Sequence, residues 1–509
     1  MRQSLMETFS EIYILDLHGS AKKKECSPDG SKDENVFDIQ QGVAIGIFVR
    51  DPNKNDKSRV YHSELWGFRE NKYSWLKEMD VLSTKWTELE PEKDQFFFVP
   101  KYLSENEYLK YPQTTSLFGL YSSGIQTKRD KIAIAQGISE LRAILRDFAS
   151  MEPEVVRSKF DLPKDGRDWK IKWASEHALA IVNDEKGLSP ILYRPFDNRW
   201  TVIDDRSKGF VAYPRFDVMR HMKNNNLGLI LTRQLSLSTF QHAWVTQNAI
   251  DGNTISLQTR EYNYLFPLYL YPTPTEDSSR QKSFSSADWP PGKDGRVPNL
   301  SPEFVADFAE KLGLSFVPDG RGDSEATFGP EDVFDYIYAV FHSPSYRERY
   351  AEFLKIDFPR VPLTSDRKKF RRLVELGGEL VALHLLESPL LARPATRYPV
   401  VGDNRVEKGY PKYFAPGEGE PGSKAGDGAV LEVGRVYINR SQYFEGVPPQ
   451  VWEFQVGGYQ VCDKWLKDRR GRQLSYDDLT VYQKVVVALK ETIRLMEEVD
   501  SAVGEWPLE

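Results

Sequence analysis

Cysteine, histidine and long apolar runs are all scarce in this chain of 509 residues. Its two cysteines, Cys26 and Cys462, are too few for a disulfide framework and match no zinc-binding spacing. No apolar run approaches the roughly 20 residues that a membrane-spanning helix needs, and the N-terminus shows no signal-peptide pattern. We therefore expect a cytoplasmic protein that holds no metal and contacts no membrane.

Positive charge is also in the minority. The chain has 68 Lys and Arg against 75 Asp and Glu, a net charge of −7. The average surface should therefore repel a polyanion, and any nucleic-acid site must be a local basic patch. Hydrophobic residues make up 40% of the chain and aromatic residues 13%, which excludes disorder. The length predicts about three globular domains.

Catalytic and nucleotide-binding motifs are absent as well. We find no Walker loop, no H-E-x-x-H and no G-x-S-x-G. A literal G-x-G-x-x-G begins at Gly417, but it follows no predicted strand and contains Glu418 and Glu420. Carboxylates at those positions would repel a pyrophosphate, so we interpret the match as chance and assign no catalytic residue.

Apolar patterning predicts a sheet near the N-terminus. Residues 12–17, 42–49 and 60–65 read as strands. The first two are almost continuously apolar, which is typical of α/β strands covered by helices on both faces.

Later segments read as a linker followed by helices. Residues 273–298 are rich in Ser, Pro, Asp and Lys, which predicts a linker. Beyond it, an N-cap at Ser301, apolar stripes at helical spacing and a capping box at Ser475 predict helices. The Gly-Gly pair at 457–458 predicts a β-hairpin.

Several long strings carry a family resemblance. The strings are IYILDLHG at 12–19, KKKE at 22–25, DGSKDENVF at 29–37, QQGVAI at 40–45, YRPFD at 193–197, NLGL at 226–229, TRQ at 232–234, FPLYLYP at 266–272, DVFDYIY at 332–338, and the segments 350–363 and 447–497. With these strings the sequence resembles adenine-specific DNA methyltransferases, and most closely the single-chain type ISP restriction-modification enzymes.

The resemblance implies an α/β remnant of a Rossmann-like methyltransferase sheet, followed by α+β target-recognition and C-terminal specificity domains. Residues 1–65 would supply the C-terminal strands of the methyltransferase domain and 66–272 the target-recognition domain. Residues 273–300 would form the linker, and 301–509 a helical specificity domain with a β-hairpin. The complete enzymes use S-adenosylmethionine, and double-stranded DNA is the implied partner.

The chain departs from the family in lacking the glycine-containing donor turn and the N-P-P-Y/F motif. The resemblance places its start just before the fifth strand of a seven-stranded sheet. We therefore expect no S-adenosylmethionine site in this chain alone. An unpaired strand 12–17 would leave an apolar edge open, and our hypothesis is that an N-terminal methyltransferase, helicase and nuclease chain covers it.

Sequence-specific binding uses phosphate contacts for position and base-edge contacts for specificity, with Arg suited to guanine and Asn or Gln to adenine. The alternatives are a solvated turn for the segment 124–130, a salt bridge to Asp197 for Arg194, and a solvated face for each basic run. The predicted DNA-binding residues are Gln126, Lys128, Arg129, Arg194, Arg199, Arg215, Arg233, Gln234, Lys368 and Lys369.

Three functional hypotheses follow. The first is a sequence-specific DNA-recognition region of a restriction-modification adenine methyltransferase, inactive by itself. The second is a methyltransferase that becomes active when an N-terminal chain complements it in trans. The third is a cytosolic protein- or carbohydrate-binding module with a Tyr- and Trp-rich contact surface.

Overall fold

The protein is described by a computed structural model. It covers residues 2–20, 27, 31–51, 58–91, 96, 98–99, 105–184, 187–236, 239–258, 261–272, 288–323, 325–418 and 431–508. Cys26, residues 273–287 of the predicted linker and residues 419–430 of the glycine-rich segment lie outside this description. The chain divides into two compact units, Met1–Lys110 and Tyr111–Glu509.

The first unit is built on a four-stranded sheet of order β2-β1-β3-β4. Strand β1 pairs antiparallel with β2 and parallel with β3. Its elements are α1 (Arg2–Thr8), β1 (Glu11–Asp16), β2 (Ala44–Val49), β3 (Arg59–Glu64), α2 (Arg69–Glu78), β4 (Thr87–Leu89) and α3 (Glu105–Tyr108).

This sheet corrects two expectations. The strand at residues 12–17 is not an open edge, because β2 and β3 pair with it on either side, and the edge strands are β2 and β4 instead. Nor is β2 covered on both faces, since all six of its residues are exposed. The core of the unit lies around β1, where Ile12, Leu15 and Val60 are buried.

The second unit combines several small sheets with helices. Its sheets have the orders β10-β6-β7, β5-β11-β8-β9, β12-β13, β14-β15, β16-β17-β18 and β19-β20. The strands are β5 (Ser122–Ser123), β6 (Leu188–Arg194), β7 (Asp197–Val202), β8 (Gly228–Thr232), β9 (Ala243–Thr246), β10 (Ala249–Ile250), β11 (Asn263–Pro267), β12 (Tyr269–Leu270), β13 (Val297–Pro298), β14 (Ser315–Phe316), β15 (Thr327–Phe328), β16 (Lys412–Phe414), β17 (Arg435–Tyr437), β18 (Tyr443–Glu445), β19 (Gln455–Val456) and β20 (Tyr459–Gln460).

Helices accompany these sheets, and the longest of them lie in the C-terminal half. They are α4 (Thr114–Leu117), α5 (Asp130–Ala133), α6 (Ile138–Ser150), α7 (Pro153–Phe160), α8 (Ile171–Asp184), α9 (Phe216–Met219), α10 (Pro302–Leu312), α11 (Pro330–His342), α12 (Pro344–Arg349), α13 (Ala351–Leu354), α14 (Arg367–His384), α15 (Pro449–Glu453), α16 (Val461–Lys467) and α17 (Tyr476–Val503). Three short 3₁₀ helices lie at Arg220–Lys223, Lys293–Gly295 and Pro389–Ala392.

The predicted helices after residue 300 are confirmed. Ser301 accepts a hydrogen bond from the Phe304 amide at the start of α10, and Ser475 and Asp478 form the capping box of α17. The apolar stripes form the core, because α11, α14 and α17 pack against one another. Their buried members include Phe334, Ile337, Tyr338, Phe341, Leu373, Leu376, Leu380 and Leu383.

The hairpin around the Gly-Gly pair is also confirmed, as β19 and β20. Its strands are shorter than the sequence pattern indicated, because Trp452 belongs to the helix α15. The described part of the linker, 288–300, is ordered: β13 pairs with β12, and the Asn299 amide donates to the carbonyls of Leu120 and Pro267 at 2.8 Å. The predicted functional domain limits stay predictions, since compactness does not test them.

Among the described helices, none is both long and apolar enough to cross a membrane.

Candidate nucleic-acid interface

The hairpin of β6 and β7 carries two predicted DNA-binding arginines, and both are buried. Arg194 is 3% exposed and Arg199 is 9% exposed. The Nη1 of Arg194 lies 2.9 Å from Oδ1 of Asp251, and the Nη2 of Arg199 lies 2.7 Å from Oδ2 of Asp197. The expected partner of Arg194 was Asp197, so that pairing is corrected. Both arginines have a structural role in this conformation.

Asp197 links this hairpin to the C-terminal helices. Its Oδ1 accepts from Nη2 of Arg469 at 3.0 Å, and Arg469 also stacks on Trp465 with its guanidinium carbon 3.4 Å from the ring centroid. The Arg199 and Arg469 guanidinium groups compensate for the burial of the Asp197 carboxylate. Such buried pairs are costly to break, because removing one partner leaves an uncompensated charge.

An open cleft is lined by Asp251, the partner of Arg194. It has a volume of about 570 Å³ and is lined by two loops. The lining residues are Ile125, Gln126, Thr127, Lys128, Asp130, Asp251, Gly252, Asn253 and Tyr262. We call this the reading cleft.

The two loops are held together by backbone contacts. The Ile125 carbonyl accepts from the Gly252 amide at 2.8 Å, and the Gly124 amide donates to the Asn263 carbonyl at 2.9 Å. A Cβ on Gly124 would lie 2.4 Å from the Asp251 carbonyl oxygen, so only glycine permits this approach. The walls of the reading cleft are therefore fixed by the fold rather than left to loop motion.

Two acidic side chains line the reading cleft. Burial raises the pKa of the Asp251 carboxyl to about 6, although Arg194 beside it favours the charged form. The Asp251 Oδ1 also accepts from the Asn253 amide at 3.0 Å. The second carboxylate, Asp130, accepts from the Thr127 hydroxyl at the start of α5. These two carboxyl groups thus offer hydrogen-bond acceptors to the reading cleft.

Exposed cations surround two aromatic rings beside the reading cleft. We define the basic surface as Lys128, Lys170, Lys208 and Arg215 together with Tyr213 and Trp173. The Lys128 Nζ and the Arg215 guanidinium carbon lie 5.9 and 5.6 Å from the Tyr213 ring centroid. Lys170 and Lys208 approach Trp173 in the same way, at 4.7 and 5.9 Å.

Hydrogen bonds connect segments that carry the basic surface. Tyr213 hydrogen-bonds to Asp168, two residues before Lys170. The Lys208 amide donates to the Ala212 carbonyl at 2.9 Å, next to Tyr213.

Three of the four cations in the basic surface have an unusual backbone. The φ angles of Lys128, Lys208 and Arg215 are 61°, 56° and 53°. Positive φ is uncommon for residues other than glycine, and such residues concentrate at functional sites. All four cations are exposed, and within the described part of the chain none of them forms an ion pair. Their charges are available to an external anion.

The remaining predicted residues are dispersed. Arg129 stacks over Trp169 at 4.7 Å and donates to the carbonyls of Lys128 and Lys164, which fixes it against the protein. Arg233 pairs with Asp357 at 3.0 Å on the surface, next to the exposed Gln234.

Lys368 and Lys369 lie in the first turn of α14, where Asp366 caps the helix by accepting from both of their amides. Lys368 is exposed and Lys369 is half-buried. The structure thus brings together Gln126, Lys128 and Arg215 and leaves these two lysines on a separate element.

Sequence reasoning missed Asn253 and Tyr262 of the reading cleft and Lys170 and Trp173 of the basic surface. The four residues have no shared motif, and the fold brings them together across more than 90 residues of sequence. The Lys-Ile-Lys-Trp string at 170–173 was the available signal, since it interleaves basic and aromatic residues. No group of acidic, histidine or cysteine side chains suited to a metal ion occurs among the described residues.

The fold is a mixed α/β arrangement of several small sheets, with an exposed basic-aromatic surface. Residues 116–498 match the type ISP C-terminal specificity domain. The chain belongs to that family. No curated protein matches the sequence.

Solved structures show the same fold. The chain aligns over 100% of its length with a nuclease-deletion mutant of the type ISP restriction-modification enzyme LlaGI in complex with a DNA substrate mimic, at 18% identity and a TM-score of 0.59, covering 45% of that chain. It aligns over 100% of its length with the ATP-dependent type ISP restriction-modification enzyme LlaBIII bound to DNA, at 18% identity and a TM-score of 0.62, covering 32% of that chain. It also aligns over 100% of its length with a DrdV–DNA complex, at 20% identity and a TM-score of 0.59, covering 49% of that chain. The chain spans less than half the length of these proteins.

Proposed function

We propose that this chain is the DNA-recognition part of a type ISP restriction-modification adenine methyltransferase and binds duplex DNA in a sequence-specific manner. Membership of the specificity-domain family and the fold shared with three DNA-bound proteins support the proposal. The observation that carries it is the basic surface. Four exposed cations around Tyr213 and Trp173, with no ion pair to any residue that the structure describes, give a protein of net charge −7 the local positive patch that phosphate binding requires.

Within this proposal the basic surface contacts the phosphate backbone and positions the duplex. Lys128 and Arg215 act there, and Arg233, Gln234, Lys368 and Lys369 supply further contacts along the DNA. The buried Arg194 and Arg199 and the half-buried Arg129 support the site through contacts within the protein. This assignment gives the supporting role to the three arginines that contact other parts of the protein.

Selection from a pool of randomised duplexes tests the proposal. The purified chain is incubated with the pool at moderate salt, and the bound fraction is sequenced over several rounds. We expect enrichment of one sequence motif. Equal recovery of all sequences, or no retention of DNA at any salt concentration, contradicts the proposal and favours a protein- or carbohydrate-binding module.

Methyl transfer is proposed only for the chain joined to the remainder of such an enzyme. At the carboxyl ends of the parallel strands β1 and β3, His18 stacks on Trp66 with centroids 3.3 Å apart. Beside them Lys72 and Asp33 form a fully buried ion pair at 2.6 Å. These side chains are engaged with one another and do not fit S-adenosylmethionine, and the sequence lacks both family motifs that contact the donor and the adenine. We assign no step through the donor in this chain.

The exposed edge strand β2 favours such a completion. Ile45, Ile47, Phe48 and Val49 are each 36 to 40% exposed along this unpaired edge. Methyl transfer from labelled S-adenosylmethionine to duplex DNA, measured with and without an N-terminal methyltransferase portion, tests this second proposal. We expect transfer only in the mixture, and transfer by the chain alone contradicts it.

A further inference from the structure

We propose that the reading cleft recognises a base that carries an exocyclic amine, adenine or cytosine, through the side-chain amides of Gln126 and Asn253. This inference rests on the proposed function, because it assumes that the basic surface has already positioned a duplex. It assigns the specificity-determining contacts to residues that differ from those that hold the phosphates.

The backbones that carry the two side-chain amides are fixed by hydrogen bonds. The backbone N–H of Gln126 donates to the Tyr213 carbonyl and the backbone N–H of Tyr213 donates to the Gln126 carbonyl, both at 3.0 Å. The backbone of Asn253 is held as well: its backbone N–H donates to the Asp251 carboxylate, and its backbone carbonyl accepts from the Tyr459 hydroxyl at 2.8 Å. Neither side-chain amide hydrogen-bonds to another residue that the structure describes, and both side chains are partly exposed. An amide offers a donor and an acceptor together, the pair that adenine N7 and N6 requires.

Hydrogen-bonding groups select against the other bases. Asp130 and Asp251 add carboxylate acceptors to the lining, which favour an exocyclic amine over a carbonyl oxygen on the ligand. Guanine presents two acceptors in the major groove and is usually read by an arginine, and none of the lining residues that the structure describes is an arginine. Among those residues Lys128 is the one cation, and its ammonium group lies over the ring of Tyr213. The lining therefore favours donors on the ligand.

Shape agrees with this assignment. A volume of about 570 Å³ exceeds that of one base and admits the edge of a base pair or a single stacked base. Tyr262 lines the cleft with 56% of its surface exposed, which presents a ring face for stacking. Its neighbour Glu261 is buried and hydrogen-bonded to Ser256 and His242, so the ring is mounted on a fixed segment.

Two single variants, Gln126→Ala and Asn253→Ala, test the inference in the randomised-duplex selection. We expect each variant to lose about ten-fold or more of its preference at one position, where the unmodified protein selects adenine or cytosine. Affinity for mixed-sequence duplex and its salt dependence should be unchanged. Gln258→Ala is the matched control, because Gln258 is an exposed amide on the same loop that does not line the cleft.

A second measurement leaves the protein intact. Purine in place of adenine, or 2-pyrimidinone in place of cytosine, removes the amine at the selected position, and we expect the same loss of preference. The inference is overturned if both variants keep the unmodified consensus and discrimination, or if the amine-free base binds equally well. Failure of the proposed function looks different, since the unmodified protein would then enrich no sequence.

Discussion

The backbone of Gln126 is paired with that of Tyr213, each amide donating to the other residue's carbonyl at 3.0 Å. Gln126 lines the reading cleft, and Tyr213 is the centre of the basic surface. One antiparallel bridge therefore joins the place proposed for base contacts to the place proposed for phosphate contacts. A duplex held by the cations around Tyr213 would present its groove at a fixed distance from the Gln126 amide.

Removal of charge from the basic surface should weaken binding without regard to sequence. We expect Lys128→Gln and Arg215→Gln each to lower the slope of log affinity against log salt by about 0.9, because each removes one phosphate contact. Fluorescence anisotropy with a mixed-sequence duplex across a salt series measures the slope. The free energy of unfolding should change by less than about 0.5 kcal/mol, since both side chains are exposed.

Lys467→Gln is the control for these variants. Its Nζ lies 2.5 Å from Oδ2 of Asp463 on the same helix, so its charge is already paired. A slope that falls equally in the control would show that net charge, and not the basic surface, sets the salt dependence.

Charge reversal at the start of α14 tests a separate contact. Lys368 and Lys369 lie at the positive end of the helix macrodipole, where glutamate is more favourable by about 0.3–1 kcal/mol. The double variant Lys368→Glu/Lys369→Glu should therefore remain at least as stable as the original. We expect it to bind duplex DNA more weakly and with a shallower salt slope. An unchanged slope assigns these lysines to the solvated face.

Local patterns predicted most of the helical part of this fold. Ser475 and Asp478 are three residues apart and form the capping box of α17, and the stripe from Phe334 to Phe341 lies in α11, a helix buried on nearly all sides. Both signals depend only on spacing within one element. The pairing of β1 with β2 depends on which segments meet after 27 intervening residues, and the apolar pattern of residues 44–49 alone does not decide it.

The candidate site was predictable only in part, because contacts between distant segments also assemble it. Gln126, Lys128 and Arg215 were identified from composition, but Asn253 reaches the reading cleft through a contact between loops more than 120 residues apart. Pairing of cations is also mostly non-local, as Arg194 shows with Asp251. Lys467 with Asp463 is one of the local pairs, at i and i+4, that the sequence alone indicates.

Arg194→Met should destabilise the protein rather than alter DNA contacts directly. Asp251 would lose its partner in a site where it is 2% exposed, and loss of one member of a buried pair costs about 3–5 kcal/mol. Because burial already raises the pKa of Asp251 to about 6, the loss should be larger at pH 8, where the carboxyl is ionised, than at pH 5. Urea unfolding at both pH values measures it.

Two comparisons accompany that experiment. The exposed Arg215→Met should change the free energy of unfolding by less than about 0.5 kcal/mol. Arg194→Met/Asp251→Asn should recover part of the loss, since the unpaired charge is gone. An Arg194 variant as stable as the original at pH 8 would show that the ion pair contributes nothing to folding.

Glu261→Gln should reduce the sensitivity of the protein to acid. Burial opposes ionisation of Glu261, but hydrogen bonds from His242 and Ser256 outweigh it and lower its pKa to about 2. A carboxyl whose folded pKa lies below its unfolded value of 4.5 stabilises the folded state above that pH and loses this contribution as pH falls toward 2. The contribution at neutral pH is about 3 kcal/mol.

Urea unfolding of both proteins at pH 7, 5, 4 and 3 measures this contribution. We expect Glu261→Gln to be the less stable protein at pH 7 and the difference to shrink at pH 3, because the original carboxyl becomes partly protonated there. Glu348→Gln, at an exposed position on α12, is the control and should parallel the original at every pH. A constant difference between Glu261→Gln and the original protein would mean that the hydrogen bonds of Glu261 do not depend on its charge.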